Sequence, residues 1–301
     1  MSTSADKGSH KIFILGPGRV GLSLGLLFHR AGLDVIGIWG RRKSSLSGER
    51  ESAMLFFHGP FPPEMAVSNV ILITTVDRAI EEVAGRLADC EHLPDSAIVY
   101  HCSGAFDSGI LASLKAKGIS TGTIHPLQSI PTAEVGTRLL PGSYFTLEGD
   151  GRAVRTGRAL VKAIGGYPLP LAGGDRGLYH AAAAMAGNFL VTLVWSAARM
   201  VSDAGLKEER ALQALQPMIR GVVSNIEEIG IRNALTGPVS RGDAHTLRIQ
   251  LEAIGKKRPE DLPLFVAMAE RTIELSREIG LLDEERIRKL RKVIDAFDGR
   301  T

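Results

Sequence analysis

Two groups of residues in this chain have the types and spacing to do chemistry. The first is Gly16-Pro17-Gly18-Arg19-Val20-Gly21, a GxGxxG turn. It follows an apolar run at 12–15 and opens a helical pattern at 19–31. That context separates a ligand-binding glycine turn from an ordinary one. Gly16 permits the tight turn, Gly18 has no side chain to block a diphosphate, and Gly21 lets the helix pack close to its strand. Free N–H groups at the helix start and the positive end of its dipole then face the anion. The residues just past the second strand decide which dinucleotide fits. An NAD site places Asp or Glu about 20 residues beyond the glycines, to accept from the ribose 2′-hydroxyl. Here the segment reads Trp39-Gly40-Arg41-Arg42-Lys43-Ser44-Ser45, with three cations and no acid. A guanidinium can hold a 2′-phosphate bidentately and stack on adenine. Taken alone, such a run describes a solvated basic loop. Its distance from the glycines favours NADP(H) over NAD, with Arg41 foremost and Arg42 and Ser44 behind it.

The second group lies where strands of an α/β sheet end, which is where such folds place ligands. Thr74-Thr75-Val76-Asp77 closes one strand. The backbone at Thr75 and Val76 would line the nicotinamide ribose, and Asp77 would cap the following helix. His101-Cys102-Ser103-Gly104 and His125-Pro126-Leu127-Gln128-Ser129 close the next two strands, so two histidines can converge on one pocket. Imidazole is the side chain best matched to proton transfer near neutral pH. A structural role for each histidine weighs about equally. Further on, His180, Ala184, Asn188, Thr192 and Ser196 recur every fourth residue and form a small, polar stripe on an apolar helix. Asn188, and with less support His180, would face substrate or the nicotinamide amide. For Thr192 and Ser196, helix packing is an equal reading. The catalytic set is therefore His125, His180, Asn188 and Ser103. No Cys or His spacing matches a metal site. Arg241-Gly242-Asp243 sits in a polar loop where Asp243 reads as a helix cap and Arg241 as either a carboxylate ligand or a structural ion pair.

These groups need elements to hold them. The first half alternates short apolar strands (12–15, 34–39, 70–75, 97–102, 120–124, 144–147, 167–171) with helical patterns (19–31, 79–88, 108–117, 153–164). This is the signature of a doubly wound parallel sheet. The stretch 41–65 is loop-rich. After Gly173-Gly174 only helices follow, at 175–204, 207–229, 243–254, 262–280 and 284–296. The expected organisation is a Rossmann domain at 8–173 and an all-α domain at 174–301. The longest apolar stretch, 181–198, approaches membrane-spanning length. Asn188, Thr192 and Ser196 interrupt it, so a helix buried in protein is expected. A chain of 301 residues with 44% hydrophobic and 23% charged residues reads as a soluble two-domain protein. A net charge of +3 from 36 basic and 33 acidic side chains gives no general attraction to nucleic acid or membrane. Cys90 and Cys102 read as free thiols of a reducing cytoplasm. The polar start, 1–10, is a frayed tail and no signal peptide.

Over nearly its whole length the chain resembles a family of Rossmann-like two-domain proteins whose C-terminal half is a domain of unknown function, number 2520. The matching motifs are Gly16–Gly21, Asp77 with Ile80, Ser103-Gly104, His125-Pro126-Leu127, Phe145 through Gly149-Asp150, Tyr179-His180 with Asn188, and Gly237-Pro238 with Arg241-Gly242-Asp243. The wider relatives are NADP-linked reductases with a helical domain like that of 6-phosphogluconate dehydrogenase. They include pyrroline-5-carboxylate, ketopantoate and deazaflavin-dependent reductases and prephenate dehydrogenase. The resemblance implies a hydride-transferring oxidoreductase acting on a small polar metabolite, dimeric through its helical domain. His125-Pro126 is similar to the His-Pro of prephenate dehydrogenases, whose histidine contacts the substrate hydroxyl. One departure is plain. Hydroxyacid dehydrogenase relatives carry a catalytic lysine four residues before the helix asparagine, and this chain has Ala184 there. Proton transfer would then fall to His125 or His180, and a noncatalytic NADP(H)-binding sensor is the alternative.

Overall fold

A computed structural model of the chain describes residues 10–41, 54–171 and 173–297. It contains two compact units, Met1–Asn188 and Phe189–Thr301. The expected polar tail lies almost entirely outside the described residues.

The first unit is built on an eight-stranded sheet. Its strands are β1 (Lys11–Leu15), β2 (Asp34–Trp39), β3 (Phe56–Phe57), β4 (Val70–Ile73), β5 (Ile98–His101), β6 (Ser120–Pro126), β7 (Tyr144–Gly149) and β8 (Tyr167–Pro170), in the order β3-β2-β1-β4-β5-β6-β7-β8. The helices of this unit are α1 (Arg19–Arg30), α2 (Ile80–Ala88), α3 (Ala112–Ala116), α4 (Ala133–Leu139), α5 (Gly151–Ala163) and α6 (Arg176–Ala184). Strands β1, β4 and β5 are apolar at almost every position because helices cover both sheet faces. Alternation then divides the core. Ile12, Ile14, Leu72, Tyr100, Ile124 and Leu147 pack with Leu24 and Phe28 of α1 and Leu160 of α5. Phe13, Leu15, Ile71, Ile73 and Val99 pack on the other face with Val83 and Leu87 of α2 and with Leu114 of α3.

The winding departs from a wholly parallel sheet at one place. After β6 the chain passes through α4, which lies against α1. It re-enters the sheet from the same end, so β7 pairs antiparallel to β6, and β8 then pairs parallel to β7. The register sets His125 opposite Thr146 and Thr123 opposite Glu148, while His101 of β5 lies beside Thr123. Cross-strand neighbours share a face. The face that is apolar under α2 and α3 therefore becomes polar at His101, Thr123, His125, Thr146 and Glu148. Helix α6 is held against this patch, because buried Arg176 donates to Thr123 Oγ1 at 3.2 Å and Tyr179 reaches His125. These contacts explain why the first compact unit continues past the Gly173-Gly174 break to Asn188.

The second unit contains α7 (Leu190–Asp203), α8 (Glu208–Ala234), α9 (Ala244–Lys257), α10 (Leu262–Glu278) and α11 (Glu284–Asp295). Its core joins Leu247 and Leu251 of α9, Val266 and Ile273 of α10, and Ile287, Leu290 and Ile294 of α11. Gly230, at φ 74°, breaks α8 where the sequence pattern ends. Asp243 caps α9 by accepting from the Thr246 amide at 2.9 Å, as its position suggests. Ser196 is a packing residue: it donates to Asp261 Oδ1 at 3.0 Å, and Asp261 is paired with buried Arg258.

The expectation of a helix buried in protein is corrected. The helical run Arg176–Asp203 is 28 residues long, is apolar enough to cross a membrane, and has only 6% of its most apolar window buried. Leu178, Met185, Phe189, Val191 and Trp195 are exposed. Asn188, Thr192 and Ser196 interrupt the apolar run, but these large apolar side chains stay exposed.

Candidate functional site

The glycine turn is tied on three sides. Gly16 adopts φ +127°, a left-handed conformation that glycine tolerates without strain. Its amide donates to the Trp39 carbonyl at 2.8 Å, which fixes the turn to the end of β2. Thr74 Oγ1, buried at the end of β4, donates to the Gly16 carbonyl at 2.7 Å. A Cβ on Gly21 would lie 2.2 Å from Gly16 O and 2.4 Å from Thr74 Oγ1, so helix α1 sits this close only because residue 21 is glycine. Gly18 differs. A Cβ there would meet nothing nearer than Thr74 O at 3.8 Å, and the residue is exposed. The protein's own packing does not demand a glycine at 18, whereas an approaching ligand would. Helix α1 begins without a side-chain cap and without an acid in its first turn, so its amides are free for an anion.

These residues line a cleft of about 260 Å³. Gly16, Pro17 and Gly18 form one wall, Trp39, Gly40 and Arg41 another, and Thr75, Val76, Ala79 and Val83 the third. Arg19 and Val20 belong to the turn but not to the lining: Arg19 is exposed at the helix start and Val20 packs on the core. Arg42 and Ser44 lie outside the described residues. Thr75 Oγ1 is buried in this wall with no hydrogen-bond partner. Asp77 does not cap α2. A short 3₁₀ turn, Asp77–Ala79, intervenes, and neither its start nor that of α2 has a side-chain cap.

A second and larger cavity, about 560 Å³, opens where β6 ends. Its lining includes His125, Pro126 and Gln128 from β6 and the turn after it, then Tyr179, His180, Ala182–Ala184 and Asn188. Thus three of the four expected catalytic residues, His125, His180 and Asn188, are brought together. The helix is π-wound over Met185–Phe189, a local widening often associated with functional positions. His125 lies with its ring centroid 6.3 Å from that of His180 and 5.6 Å from that of Tyr179. Its Nδ1 is 3.0 Å from the Tyr179 hydroxyl, which also accepts from Thr146 Oγ1 at 3.4 Å. The ring rests on Gly104, where a Cβ would be 2.6 Å from His125 Cε1. Burial, then the neighbouring His180, Arg176 and His101, push His125 down to about 4, so the ring is neutral at physiological pH.

Ser103 and His101 are not brought into this cavity. Ser103 is buried, and its hydroxyl accepts from the Ala105 amide at 3.1 Å within the local turn. His101 is fully buried; its Nε2 lies 2.9 Å from the Asp107 carbonyl and its Nδ1 accepts from the Ser103 amide. Nε2 therefore carries the proton, and the ring stitches the 102–107 loop together. Burial lowers its pKa as well. In turn, the site contains residues absent from the sequence-based set. Tyr179 and Thr146 contact His125. Behind them Arg176 lies 3.6 Å from Glu148, and Glu148 accepts from the amide and hydroxyl of Ser108 at 2.7 and 2.8 Å. Period-two alternation along β7 could have flagged Thr146 and Glu148, since polar residues there interrupt a buried strand.

Comparison with known proteins settles the family. Residues 2–126 match a Rossmann-like domain model, and residues 143–272 match the domain of unknown function DUF2520. The chain is a Rossmann-like protein with a DUF2520 domain. The DUF2520 region begins just before β7, so β7 and β8 fall within it and β1 to β6 within the Rossmann-like match. It also supplies Thr146, Tyr179 and His180, while the Rossmann-like part supplies His125. No curated protein sequence matches the chain. Among solved structures, a Bacteroides fragilis protein described as an NADP oxidoreductase superposes with TM-score 0.72 at 16% identity, covering 88% of this chain and 98% of that one. A Thermotoga maritima protein gives 0.64 at 24% identity, covering 89% and 98%. The pyrroline carboxylate reductase of Plasmodium falciparum, with NADP bound, gives 0.58 at 12% identity, covering 90% and 98%. At these identities the likeness is one of fold.

Proposed function

We propose that the chain is an NADP(H)-dependent oxidoreductase that transfers hydride to or from a small polar carbonyl, imine or hydroxyl compound. The observation that carries this reading is the pairing of an open Gly18 with Arg41 across one cleft, together with a second cavity at the end of β6 that holds a half-buried, neutral histidine. The cleft fits the dinucleotide. Gly16, Pro17 and Gly18 with the first amides of α1 would hold the diphosphate, and Arg41 the 2′-phosphate. The Thr75 hydroxyl, buried without a partner, and the backbone at Val76 would meet the nicotinamide ribose. When bound, the nicotinamide supplies or accepts the hydride. The chain's own work is then to orient the second reactant and to handle one proton. His125 and Asn188 would take the first task, and His125 and His180 the second. The structural relatives include a pyrroline carboxylate reductase with NADP bound, which supports C=N compounds among the candidates.

A second reading, a noncatalytic NADP(H) sensor, is favoured by one observation. The cavity wall beside His125 is Ala182, Ala183 and Ala184, with no lysine to act as an acid. Calorimetry followed by a turnover assay separates the two. Arg41→Ala should weaken NADPH by about 1.5–3 kcal/mol, roughly ten- to hundredfold, because a charge-assisted hydrogen bond is lost. NADH should be little affected, and equal losses for both dinucleotides would refute the assignment of Arg41. Turnover of a carbonyl or imine panel by the wild type, reduced in His125→Gln and His180→Ala, supports the enzyme. NADPH binding without turnover supports the sensor. We further propose that the exposed apolar face of Arg176–Asp203 is covered by a second copy of the chain.

A further inference from the structure

We propose that Tyr179 is a positioning and relay residue that acts through His125: its hydroxyl donates to Nδ1, which leaves Nε2–H as the group His125 presents to the reacting heteroatom. The inference rests on the oxidoreductase reading for its chemistry, but its geometry stands on the hydrogen bonds alone.

A neutral imidazole has one N–H and one bare nitrogen, and its partners decide which is which. At 3.0 Å, the Tyr179 oxygen and His125 Nδ1 share one proton in either of two senses. The third member of the chain favours the sense in which Tyr179 donates. Thr146 is fully buried, and its hydroxyl donates to the same phenolic oxygen. With a lone pair so engaged, the phenol is left with its own proton to place, and His125 Nδ1 is the acceptor it faces. The order is therefore Thr146 O–H to Tyr179 O, then Tyr179 O–H to His125 Nδ1. The edge-to-face packing of the two rings, 85° apart, and the close contact of Gly104 hold the imidazole in that plane. Burial and the charges of Arg176 and His180 oppose protonation of the ring, so an imidazolium is not the resting donor.

This arrangement answers the absence of a lysine. A neutral imidazole is by itself a very weak acid. If Nδ1 gains the tyrosine proton as Nε2 gives up its own, the ring stays neutral throughout. When a C=N or C=O bond is reduced, its π pair collects on the heteroatom. That atom bonds the Nε2 proton, the Nε2–H bond breaks, Nδ1–H forms, and the Tyr179 O–H bond breaks. The tyrosinate keeps the Thr146 hydrogen bond and regains a proton from solvent, which Tyr179 reaches because it is only half-buried. Oxidation of a hydroxyl or amine runs the same steps backwards.

The test is nitrogen NMR of the full-length protein labelled with 15N-histidine, without dinucleotide, using His125→Gln to assign the resonances. The expected wild-type pattern is a protonated Nε2 and an unprotonated Nδ1 shifted by an accepted hydrogen bond. In Tyr179→Phe, Nδ1 should move to the position of a bare acceptor, and in Thr146→Val it should move part of the way. A proton on Nδ1 in the wild type, or a spectrum unchanged by Tyr179→Phe, would overturn the proposal. In a turnover assay with NADPH, Tyr179→Phe should lower kcat by about 10²–10⁴-fold, the usual value of a proton-transfer group, with KM nearly constant. An unchanged kcat would overturn the relay. Failure to bind NADPH would refute the oxidoreductase reading on its own, and the spectra would still decide the hydrogen-bond direction.

Discussion

Acidification should weaken the first unit through His125, by an amount that follows from its burial. The ring titrates at about 4 in the fold against 6.5 in the unfolded chain. Between those values the unfolded chain binds a proton that the folded one refuses, so lowering the pH favours unfolding. Stability is whole above about 6.5, falls through the window, and levels off below about 4. The full separation corresponds to about 3 kcal/mol, and at pH 5 about 2 kcal/mol of it should already be lost. His101 is also lowered and adds a loss of the same sign, so the measurement must isolate His125. His125→Gln does so, because it replaces the ring with a group that does not titrate. The chain has two tryptophans, Trp39 buried in the first unit and Trp195 exposed in the second. In a Trp195→Phe background, fluorescence therefore follows the unit that contains His125. Urea transitions are recorded at pH 7 and pH 5 for that background with and without His125→Gln. The stability difference between the two proteins should narrow by about 2 kcal/mol on going to pH 5. A difference that does not change with pH would refute the reasoning. One that widens would mean the fold stabilises the imidazolium, which the nearby Arg176 opposes.

The two inner glycines of the turn should behave differently. Gly18→Ala should leave the urea midpoint within about 0.5 kcal/mol of wild type, since the added methyl meets open space and φ is already −81°, yet NADPH binding should fall at least about tenfold. Gly21→Ala should destabilise the first unit by about 1–3 kcal/mol, because its methyl overlaps Gly16 O and Thr74 Oγ1. A stable, dinucleotide-binding Gly21→Ala protein would contradict the packing described. For the apolar helix face, sedimentation equilibrium should show a dimer in the wild type and a monomer in Val191→Lys combined with Trp195→Glu. A wild-type monomer would send the search for a cover elsewhere.

How much of this was legible in the sequence depends on the range of the forces involved. The glycine turn was readable because Gly16 needs a left-handed φ and Gly21 packs on the Gly16 carbonyl five residues before it, between a strand and a helix. Helix limits in the second unit were readable because caps and breakers, such as Asp243 and Gly230, act within one turn. The tyrosine was not, although it sits beside His180. Its role depends on the register that sets Thr146 opposite His125, and that register follows from β7 running antiparallel, which no local pattern announces. Ser103 lies outside the cavity lining for the opposite reason: its hydroxyl accepts from the Ala105 amide within the local turn. The two histidines at the strand ends show the same divide. Both close a parallel strand in the same structural role, and the sequence offers nothing to rank them. His101 is satisfied by the loop that follows it, whereas His125 meets Gly104 on one side and α6 of the same unit on the other. Its partners arrive from 21 and 54 residues away, so the chemistry at this site belongs to long-range contacts within the first unit rather than to either motif.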